Sequence, residues 1–444
     1  MSTLMTKLKR GQWRLGLLLL LLIATVAFGA LVPSAYQSTP NAVIVNPLTH
    51  PYSTIDAGAV LSRTDEPSLT REQVQASSLE DYGRFTLPAK YGVARSLLTY
   101  RSYDTDGTPI TIYARVYLPI GLNNAPILGF APGTTGIGDA CAASLEIPRV
   151  ANWANYESHM LAYAGQGYAT VITDYEGMRD PGRLHHYMVG QLEGRAVLDS
   201  VRALINFAGK SGQLETKHVF LAGYSQGGHA VFWADQIATS YAPELKISGI
   251  IGFGAVISVE DTLADVTRGS NLDWFGPYVL VSYADYYHEA YSLAQILQPK
   301  YRDNLIADVT THCINTDVEF WGTNPTVVFM PSFISALQTH TLDNSFPDLA
   351  QRLQQNAVGA ITTRVPKLLN GGTKDIVVLP QQQAKTVTML CRNPTAPVHL
   401  HEYPEATHYN TMAVSIVDVL NWMKTLQTGG QAPDDCRTLA LPGN

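Results

Sequence analysis

Between residues 95 and 258 the chain alternates between short apolar runs and longer segments whose apolar residues recur at helical spacing. Two segments of alternating polarity within 95–119 flank Asp106-Gly107, which predicts a β-hairpin. Strands that alternate with helices of this length predict a mostly parallel sheet covered by helices. The predicted strands after the hairpin are 126–130, 169–174, 219–223, 247–256, 365–369 and 398–403, and the predicted helices are 151–164, 190–210, 226–240 and 411–426.

The alternation stops between about residues 260 and 350. This stretch is rich in tyrosine and other aromatic residues, has mostly helical spacing, and lacks apolar runs typical of buried parallel strands. It therefore predicts a helical cap, 259–350, inserted into an α/β core that is formed by 95–258 and 351–444. Residues 36–94 are rich in Ser, Thr, Pro and Asn and are predicted to form an irregular extension laid over the core.

The amino terminus has the pattern of an export signal. Four basic residues lie within the first 14, an apolar run from 15 to 27 contains six consecutive leucines, and small residues follow. This pattern favours a cleaved signal over residues 1–35 and a secreted or periplasmic protein. An uncleaved membrane anchor is the alternative, because 13–32 is long enough to span a bilayer.

Composition and charge exclude several classes of protein. The hydrophobic fraction is 46% and the charged fraction 15%, which excludes a disordered, solvating chain. The chain has 30 Lys and Arg against 37 Asp and Glu, and several of the basic residues lie in the leader. No basic patch is therefore left to bind nucleic acid. The four cysteines form no C-x-x-C pair, so neither a zinc site nor another metal is expected. In an exported chain they predict two disulfides, for which three connectivities exist.

A candidate nucleophile lies at the junction of a predicted strand and helix. The segment Gly223-Tyr224-Ser225-Gln226-Gly227 is a G-x-S-x-G motif in the context that this motif requires. The glycines allow a tight turn, and the helix amino terminus supplies free N–H groups and partial positive charge for a developing oxyanion. We therefore predict that Ser225 is the nucleophile and that the N–H of Gln226 is an oxyanion donor.

The acid and the base are expected later in the chain, in the order Ser, acid, His. Asp375 follows a predicted strand and the turn Gly371-Gly372, and His408 follows the last predicted strand. Both lie at carboxyl ends of strands, where sheets of this kind build their sites. The competing residues have weaker contexts, since two histidines alternate along one strand and two acids lack a preceding strand: His399, His401, Asp343 and Asp348.

A second oxyanion donor is expected from the glycine-rich loop 132–141, which follows an early strand. Its glycines let the backbone approach a substrate, and Thr134 and Thr135 are the candidate N–H donors. The alternative is a flexible turn without this role. A dinucleotide-binding loop is excluded because its third glycine is missing.

Five ordered motifs, found within residues 80–430, resemble the secretory lipase family: 132–144, 174–177, 193–199, 223–228 and 371–375. The resemblance implies an α/β-hydrolase fold with a helical cap and hydrolysis of esters, often of lipids. It also implies the triad Ser225, Asp375 and His408, and a disulfide Cys141–Cys313 that joins the oxyanion loop to the cap. We pair Cys391 with Cys436 because they flank the last strand and the last helix.

These observations predict an exported serine hydrolase that acts on lipid or other apolar acyl esters without a cofactor. Its partners would be an ester substrate and a lipid interface that the cap contacts. An acyltransferase or a peptidase on the same triad is one alternative, and a non-catalytic binding protein on a hydrolase scaffold is another. The helix motif 193–199 is expected to be structural, with Glu193 and Arg195 paired on or beneath the helix.

Overall fold

A computed structural model describes residues 56–147, 153–269, 272–359, 363–392 and 394–438. The strands in these ranges form one mixed sheet in the order β1-β2-β3-β5-β4-β6-β7-β8-β9. Strands β4 to β9 run parallel to one another, and β1, β2 and β3 are antiparallel to their neighbours. The strands are β1 (Val60–Leu69), β2 (Val93–Tyr103), β3 (Pro109–Pro119), β4 (Ala125–Ala131), β5 (Ala169–Thr173), β6 (Leu214–Tyr224), β7 (Ile247–Phe253), β8 (Lys367–Gly372) and β9 (Val398–Tyr403).

Helices cover both faces of this sheet. One face packs on α3, α4 and α14, and the other on α1, α2 and α16, each through a continuous apolar cluster. The predicted α/β-hydrolase architecture is therefore confirmed, including the hairpin of β2 and β3. The core helices are α1 (Arg71–Tyr82), α2 (Tyr156–Gly165), α3 (Gly190–Ala208), α4 (Gln226–Tyr241), α14 (Pro380–Leu390), α15 (Thr411–Val414) and α16 (Ile416–Gln427).

In the described residues, nine further helices lie between β7 and β8 and form the cap. They pack on one another around an apolar cluster that is rich in Trp, Phe and Tyr. The last of them extends past the predicted boundary at residue 350. The cap helices are α5 (Val259–Val266), α6 (Phe275–Tyr287), α7 (Leu293–Ile296), α8 (Leu305–Thr311), α9 (Ile314–Trp321), α10 (Pro325–Val328), α11 (Pro331–Gln338), α12 (Leu342–Ser345) and α13 (Pro347–Gln355).

The prediction that residues 36–94 form an irregular extension is wrong for the described part of this range, which contains β1 and α1. Strand β1 is an edge strand that pairs with β2 through its backbone, and most of its side chains face solvent. It therefore lacks the apolar alternation by which a strand is recognised. Helix α1 buries only Val74, Ser78 and Tyr82, although Thr70 and Gln73 form a capping box at its start. The predicted export signal lies outside the described residues.

Two disulfides connect distant parts of the chain, and they are the two pairs predicted from the sequence. Cys141–Cys313 links the loop after β4 to the start of α9 in the cap, across 172 residues of sequence. We call it the cap disulfide. Cys391–Cys436 links the end of α14 to the carboxyl-terminal segment. In the described ranges we find no helix long and apolar enough to cross a membrane.

Candidate active site

Ser225 lies in a sharp turn between β6 and α4, at the carboxyl edge of the parallel strands. Its backbone has φ 55° and ψ −113°, an unusual conformation for a residue with a side chain. The turn is held by hydrogen bonds from the N–H of Ser225 to the carbonyl of Phe253 (2.9 Å) and from the N–H of Val256 to the carbonyl of Ser225 (3.2 Å). A Cβ at Gly227 would overlap the carbonyl of Ala131, so glycine is required there. Contacts with β4, with β7 and with the loop after β7 therefore hold Ser225 in its strained backbone conformation.

Asp375 and His408 are hydrogen-bonded to each other at the same edge. Nδ1 of His408 lies 2.8 Å from Oδ2 of Asp375, and both side chains are buried. The other oxygen of the carboxylate accepts the N–H groups of Val377 (2.8 Å) and Val378 (2.9 Å). Because these donors hold the carboxylate as an acceptor, Nδ1 of the imidazole carries the proton and Nε2 is left to act as a base.

The loop after β7 packs directly against this pair. Gly254 has φ +49°, and a Cβ built there would lie 2.7 Å from Nδ1 of His408 and 3.1 Å from Oδ2 of Asp375. The ring of Tyr224 lies against the imidazole from another direction, with ring centroids 4.8 Å apart. The position of His408 is thus defined by three contacts, one of which requires the absence of a side chain.

The glycine-rich loop after β4 borders the same site. Thr134 is half-buried, and its hydroxyl lies 2.7 Å from the hydroxyl of Tyr187. Thr135 is buried, and its carbonyl accepts the N–H of Ile314 in the cap at 2.9 Å. The hydroxyl of Tyr175 donates to the carbonyl of Pro132 at 2.7 Å, which fixes the start of the loop. The loop is therefore held by the core on one side and by the cap on the other.

Ser225, His408 and Thr134 open into one cavity of about 400 Å³. This volume lies in the range of small-molecule sites. The walls come from both core and cap and are mostly apolar and aromatic, with only a few polar groups besides the three residues named. The other residues that line the cavity are Trp153, Ala154, Tyr156, Tyr187, Tyr224, Val256, Thr262, Leu272, Trp274, Phe275, Ile314, Asn315, Val318, Val377 and Tyr409.

The competing residues lie elsewhere. His399 is paired with Asp435 at 3.0 Å on the outer strand β9, and His401 lies 3.9 Å from Asp418. The two alternative acids, Asp343 and Asp348, are in cap helices α12 and α13. None of these residues lines the cavity. Sequence analysis missed most of the aromatic wall, because only Trp274 and Phe275 lie in the aromatic-rich cap and the other aromatic residues of the wall come from the core.

A cluster of charged side chains, buried except for Asp285, joins the cap to the core. Nδ1 of His186 contacts the carboxylate of Glu176, and its Nε2 lies 3.0 Å from Oδ2 of Asp285 in α6. Burial disfavours charge on both groups, but the carboxylate of Glu176 raises the pKa of His186 to about 9. Burial alone would raise the pKa of Glu176, but the positive charge of His186 outweighs this effect and lowers that pKa to about 2. The two residues therefore form an ion pair at neutral pH.

No group of side chains in the described ranges could hold a metal ion. What the geometry offers is a serine in a strained turn, an oriented imidazole, and backbone N–H groups at a helix amino terminus. The first N–H groups of a helix have no acceptor within the helix, and here they point to the carboxyl edge of the sheet at Ser225. This arrangement is suited to nucleophilic attack by a hydroxyl and to stabilisation of an oxyanion.

Comparison with known proteins gives one family and several lipases. A family model described as "Secretory lipase" matches residues 154–434. "Lipase A" of Moesziomyces aphidis is 30% identical over 195 residues, which are 44% of this chain and 36% of that protein. "Lipase 1" of Candida albicans is 28% identical over 232 residues, which are 51% of this chain and 48% of that protein. The chain thus spans less than half the length of these two relatives.

Among solved structures, lipase A of Candida antarctica in its closed state has the same fold. The two structures superpose with a TM-score of 0.66, and the match covers 90% of each chain at 22% identity.

Proposed function

We propose that this chain, which belongs to the secretory lipase family, is an exported serine hydrolase. It cleaves carboxylic esters with apolar acyl groups. The observation that supports this most directly is the buried Asp375–His408 pair, whose imidazole lines the same apolar cavity as Ser225. The names of the relatives, which are lipases, support an ester as substrate.

In the proposed reaction Ser225 attacks the carbonyl carbon of the ester while Nε2 of His408 accepts the hydroxyl proton. Asp375 accepts the hydrogen bond from Nδ1 and stabilises the imidazolium. The N–H of Gln226 and an N–H of the loop at Thr134 or Thr135 bind the oxyanion of the tetrahedral intermediate. His408 then returns the proton to the departing alcohol, which leaves an acyl-enzyme on Ser225.

The second half of the reaction uses water. Nε2 of His408 removes a proton from a water molecule, whose oxygen attacks the acyl carbon of the acyl-enzyme. A second tetrahedral intermediate collapses, the proton passes to Ser225, and the carboxylic acid is released. The apolar walls of the cavity bind the acyl chain, since burial of each methylene group is worth about 0.8 kcal/mol.

We further propose that the mouth of the cavity contacts lipid. Two residues that line the cavity, Tyr409 and Val318, are 73% and 45% exposed, and Ile376, which precedes the cavity residue Val377, is 52% exposed. An apolar rim around an apolar cavity is suited to a lipid surface. Hydrolysis of esters of increasing acyl length should therefore rise above the critical micelle concentration, and a flat profile across it would indicate an esterase for dissolved substrates.

Export through the leader 1–35 is the remaining part of the proposal. The two disulfides support it, because disulfides persist in oxidising compartments outside the cytoplasm. Amino-terminal sequencing of protein recovered outside the cytoplasm should find a chain that begins near residue 30–36. An intact leader in a membrane fraction would instead support the anchor.

The decisive experiment is ester turnover by the purified chain and its Ser225→Ala variant. Loss of the nucleophile should lower kcat by about 10⁴ to 10⁶, with unchanged folding by circular dichroism. Ser200→Ala is a matched control, since Ser200 is a buried serine whose hydroxyl donates to the carbonyl of Val197 within its own helix at 2.8 Å. Retention of more than a tenth of the wild-type activity in Ser225→Ala would contradict the proposal.

A further inference from the structure

Glu193 is a fully buried carboxylate in the first turn of α3, next to the start of α4. Sequence analysis expected it to pair with Arg195, and this expectation is wrong. The guanidinium of Arg195 instead donates to backbone carbonyls at the end of β2, one of them that of Tyr103 at 3.3 Å. Without a guanidinium such as that of Arg195 beside it, a buried carboxylate requires other hydrogen-bond donors, because its desolvation is costly.

Three donors converge on Glu193, and two of them come from the first turn of α4. Its Oε1 accepts the side-chain amide of Gln226 at 2.7 Å and the N–H of Met188 at 3.0 Å. Its Oε2 lies 2.7 Å from Nδ1 of His229. Gln226 is the residue that follows the proposed nucleophile, and its own N–H is the proposed oxyanion donor. Glu193 therefore holds the side chain of the residue whose backbone must point at the oxyanion.

The proton count at this cluster matters for catalysis, because an uncompensated negative charge near the site would oppose the oxyanion. Nε2 of His229 lies 2.7 Å from the carbonyl of Asn356, which can only accept, so Nε2 carries a proton. On the other side Nδ1 faces Glu193, and one proton is shared between them. The Glu193–His229 pair is thus neutral overall, and the carboxylate binds Gln226 without adding net charge beneath the site.

We propose that Glu193 is a positioning residue, which orients the N–H of Gln226 toward the oxyanion through the side-chain amide of that residue. This inference rests on the proposed function. The side chain of Gln226 is clamped between Oε1 of Glu193 and Nε2 of His185, the latter at 3.0 Å. The clamp restrains the side chain of Gln226 and, through it, the peptide between Ser225 and Gln226. Displacement of a catalytic group by about 1 Å can cost on the order of 100-fold in rate.

The chain offers a closely matched control on the same helix. Asp199 is also fully buried in α3 and also receives three donors, namely the hydroxyl of Ser102 (2.6 Å), the hydroxyl of Tyr241 (2.7 Å) and the guanidinium of Arg202 (2.8 Å). None of its partners belongs to α4's first turn or to the cavity. Asp199→Ala therefore removes an equally buried and equally bonded carboxylate without touching Gln226.

The experiment compares Glu193→Ala, Glu193→Gln and Asp199→Ala as full-length mature protein. The fraction of active sites is first titrated with a p-nitrophenyl phosphonate, and kcat and KM for an activated ester are expressed per titrated site. Inhibition by an alkylboronic acid, which forms a tetrahedral adduct on serine, is measured in parallel. The tetrahedral boronate adduct depends on the oxyanion donors more than the bound ester does. A parallel loss of kcat and boronate affinity with unchanged KM therefore indicates misplaced oxyanion donors rather than a generally damaged site.

For Glu193→Ala we expect kcat to fall about 10- to 100-fold with KM nearly unchanged, and boronate affinity to fall by a similar factor. Glu193→Gln should recover most of this loss, because its carbonyl can accept from Gln226 and Met188 while its amide donates to Nδ1 of a neutral His229. Asp199→Ala should unfold at lower temperature but keep wild-type kcat and boronate affinity per site.

Equal kcat per site in Glu193→Ala and Asp199→Ala would overturn the inference, and so would a loss confined to KM. If Glu193→Ala does not fold, Gln226→Met replaces it, since methionine keeps the backbone N–H but loses the amide, and it should show the same fall in kcat and boronate affinity. Wild-type protein that neither reacts with the phosphonate nor hydrolyses esters would instead refute the proposed function.

Discussion

Gly254→Ala tests whether the close packing beneath the proposed catalytic base matters for its position. The new methyl group would lie 2.7 Å from Nδ1 and 2.9 Å from Cε1 of His408. Ordinary contact between such atoms is about 3.5 Å or more, so the imidazole or the loop must move by about 0.8 Å. The backbone is also affected, because φ at this position is +49° and a left-handed conformation costs about 1–2 kcal/mol for alanine.

These two effects have different consequences for the measurements. The backbone cost lowers the free energy of unfolding by about 1–2 kcal/mol and leaves the chemistry alone. A shift of the imidazole by a large part of an ångström misaligns Nε2 with the hydroxyl of Ser225, and we expect kcat to fall about 10- to 100-fold. The fall should affect acylation by every ester that is tried, because the base is used by all of them.

Gly83→Ala is the control that separates the two effects. Gly83 also has a positive φ (50°, with ψ −121°), so alanine is strained there too, but a Cβ built there meets no atom within 4 Å. Both variants are compared by thermal unfolding and by initial rates of hydrolysis of a short activated ester. A loss of kcat in Gly254→Ala that Gly83→Ala does not show would support the packing argument. Wild-type kcat in a folded Gly254→Ala protein would refute it.

Three further changes test the proposed chemistry and the attachment of the cap. Asp375→Asn should lower kcat less than His408→Ala does, because the acid orients the imidazole and the base moves the proton, and a silent Asp375→Asn would show that another acid serves. Replacement of both cysteines of the cap disulfide by serine should lower the melting temperature and also kcat, because the oxyanion loop loses its attachment to the cap; unchanged kcat would argue against this role. The Glu176–His186 ion pair stabilises the fold while both groups are charged. As the pH rises from 6.5 through about 9, His186 loses its proton and on the order of 3 kcal/mol of stability should be lost. As the pH falls from 4.5 through about 2, Glu176 gains a proton and the stabilisation should also be lost. Melting temperatures of His186→Asn should accordingly show a flatter alkaline limb, and an unchanged limb would mean that other groups cause it.

The fold was predictable from the sequence wherever strands are buried on both faces. Strands β4 to β8 are short apolar runs bounded by turn residues, and their alternation with helices defines the class of fold. The Ser225 motif was predictable for a related reason, because a strand and a helix can meet so tightly only with glycines at the turn. Asp375 and His408 were proposed from their place at the ends of strands rather than from any local motif, and the structure places them in one hydrogen-bonded pair.

The parts that sequence analysis missed depend on partners far away in the chain. Strand β1 is defined by its backbone pairing with β2, and its mostly polar, exposed side chains show no apolar alternation. Glu193 lies in a helix whose apolar spacing marks it as structural, and its bonds to Gln226 and His229 depend on how α3 packs against α4. Contacts between elements that are remote in sequence are set by packing and cannot be inferred from periodicity.

The way the cap is attached has a consequence for protein engineering. The N–H of Val358 donates to the carbonyl of Ile257 at 3.0 Å, so the insertion leaves and re-enters the core at adjacent points, and such a segment can be exchanged at little entropic cost. The cap disulfide adds a third attachment, at the loop after β4. A chimera that receives a foreign cap must therefore also provide a cysteine opposite Cys141, since two correct splice junctions would leave that thiol unpaired.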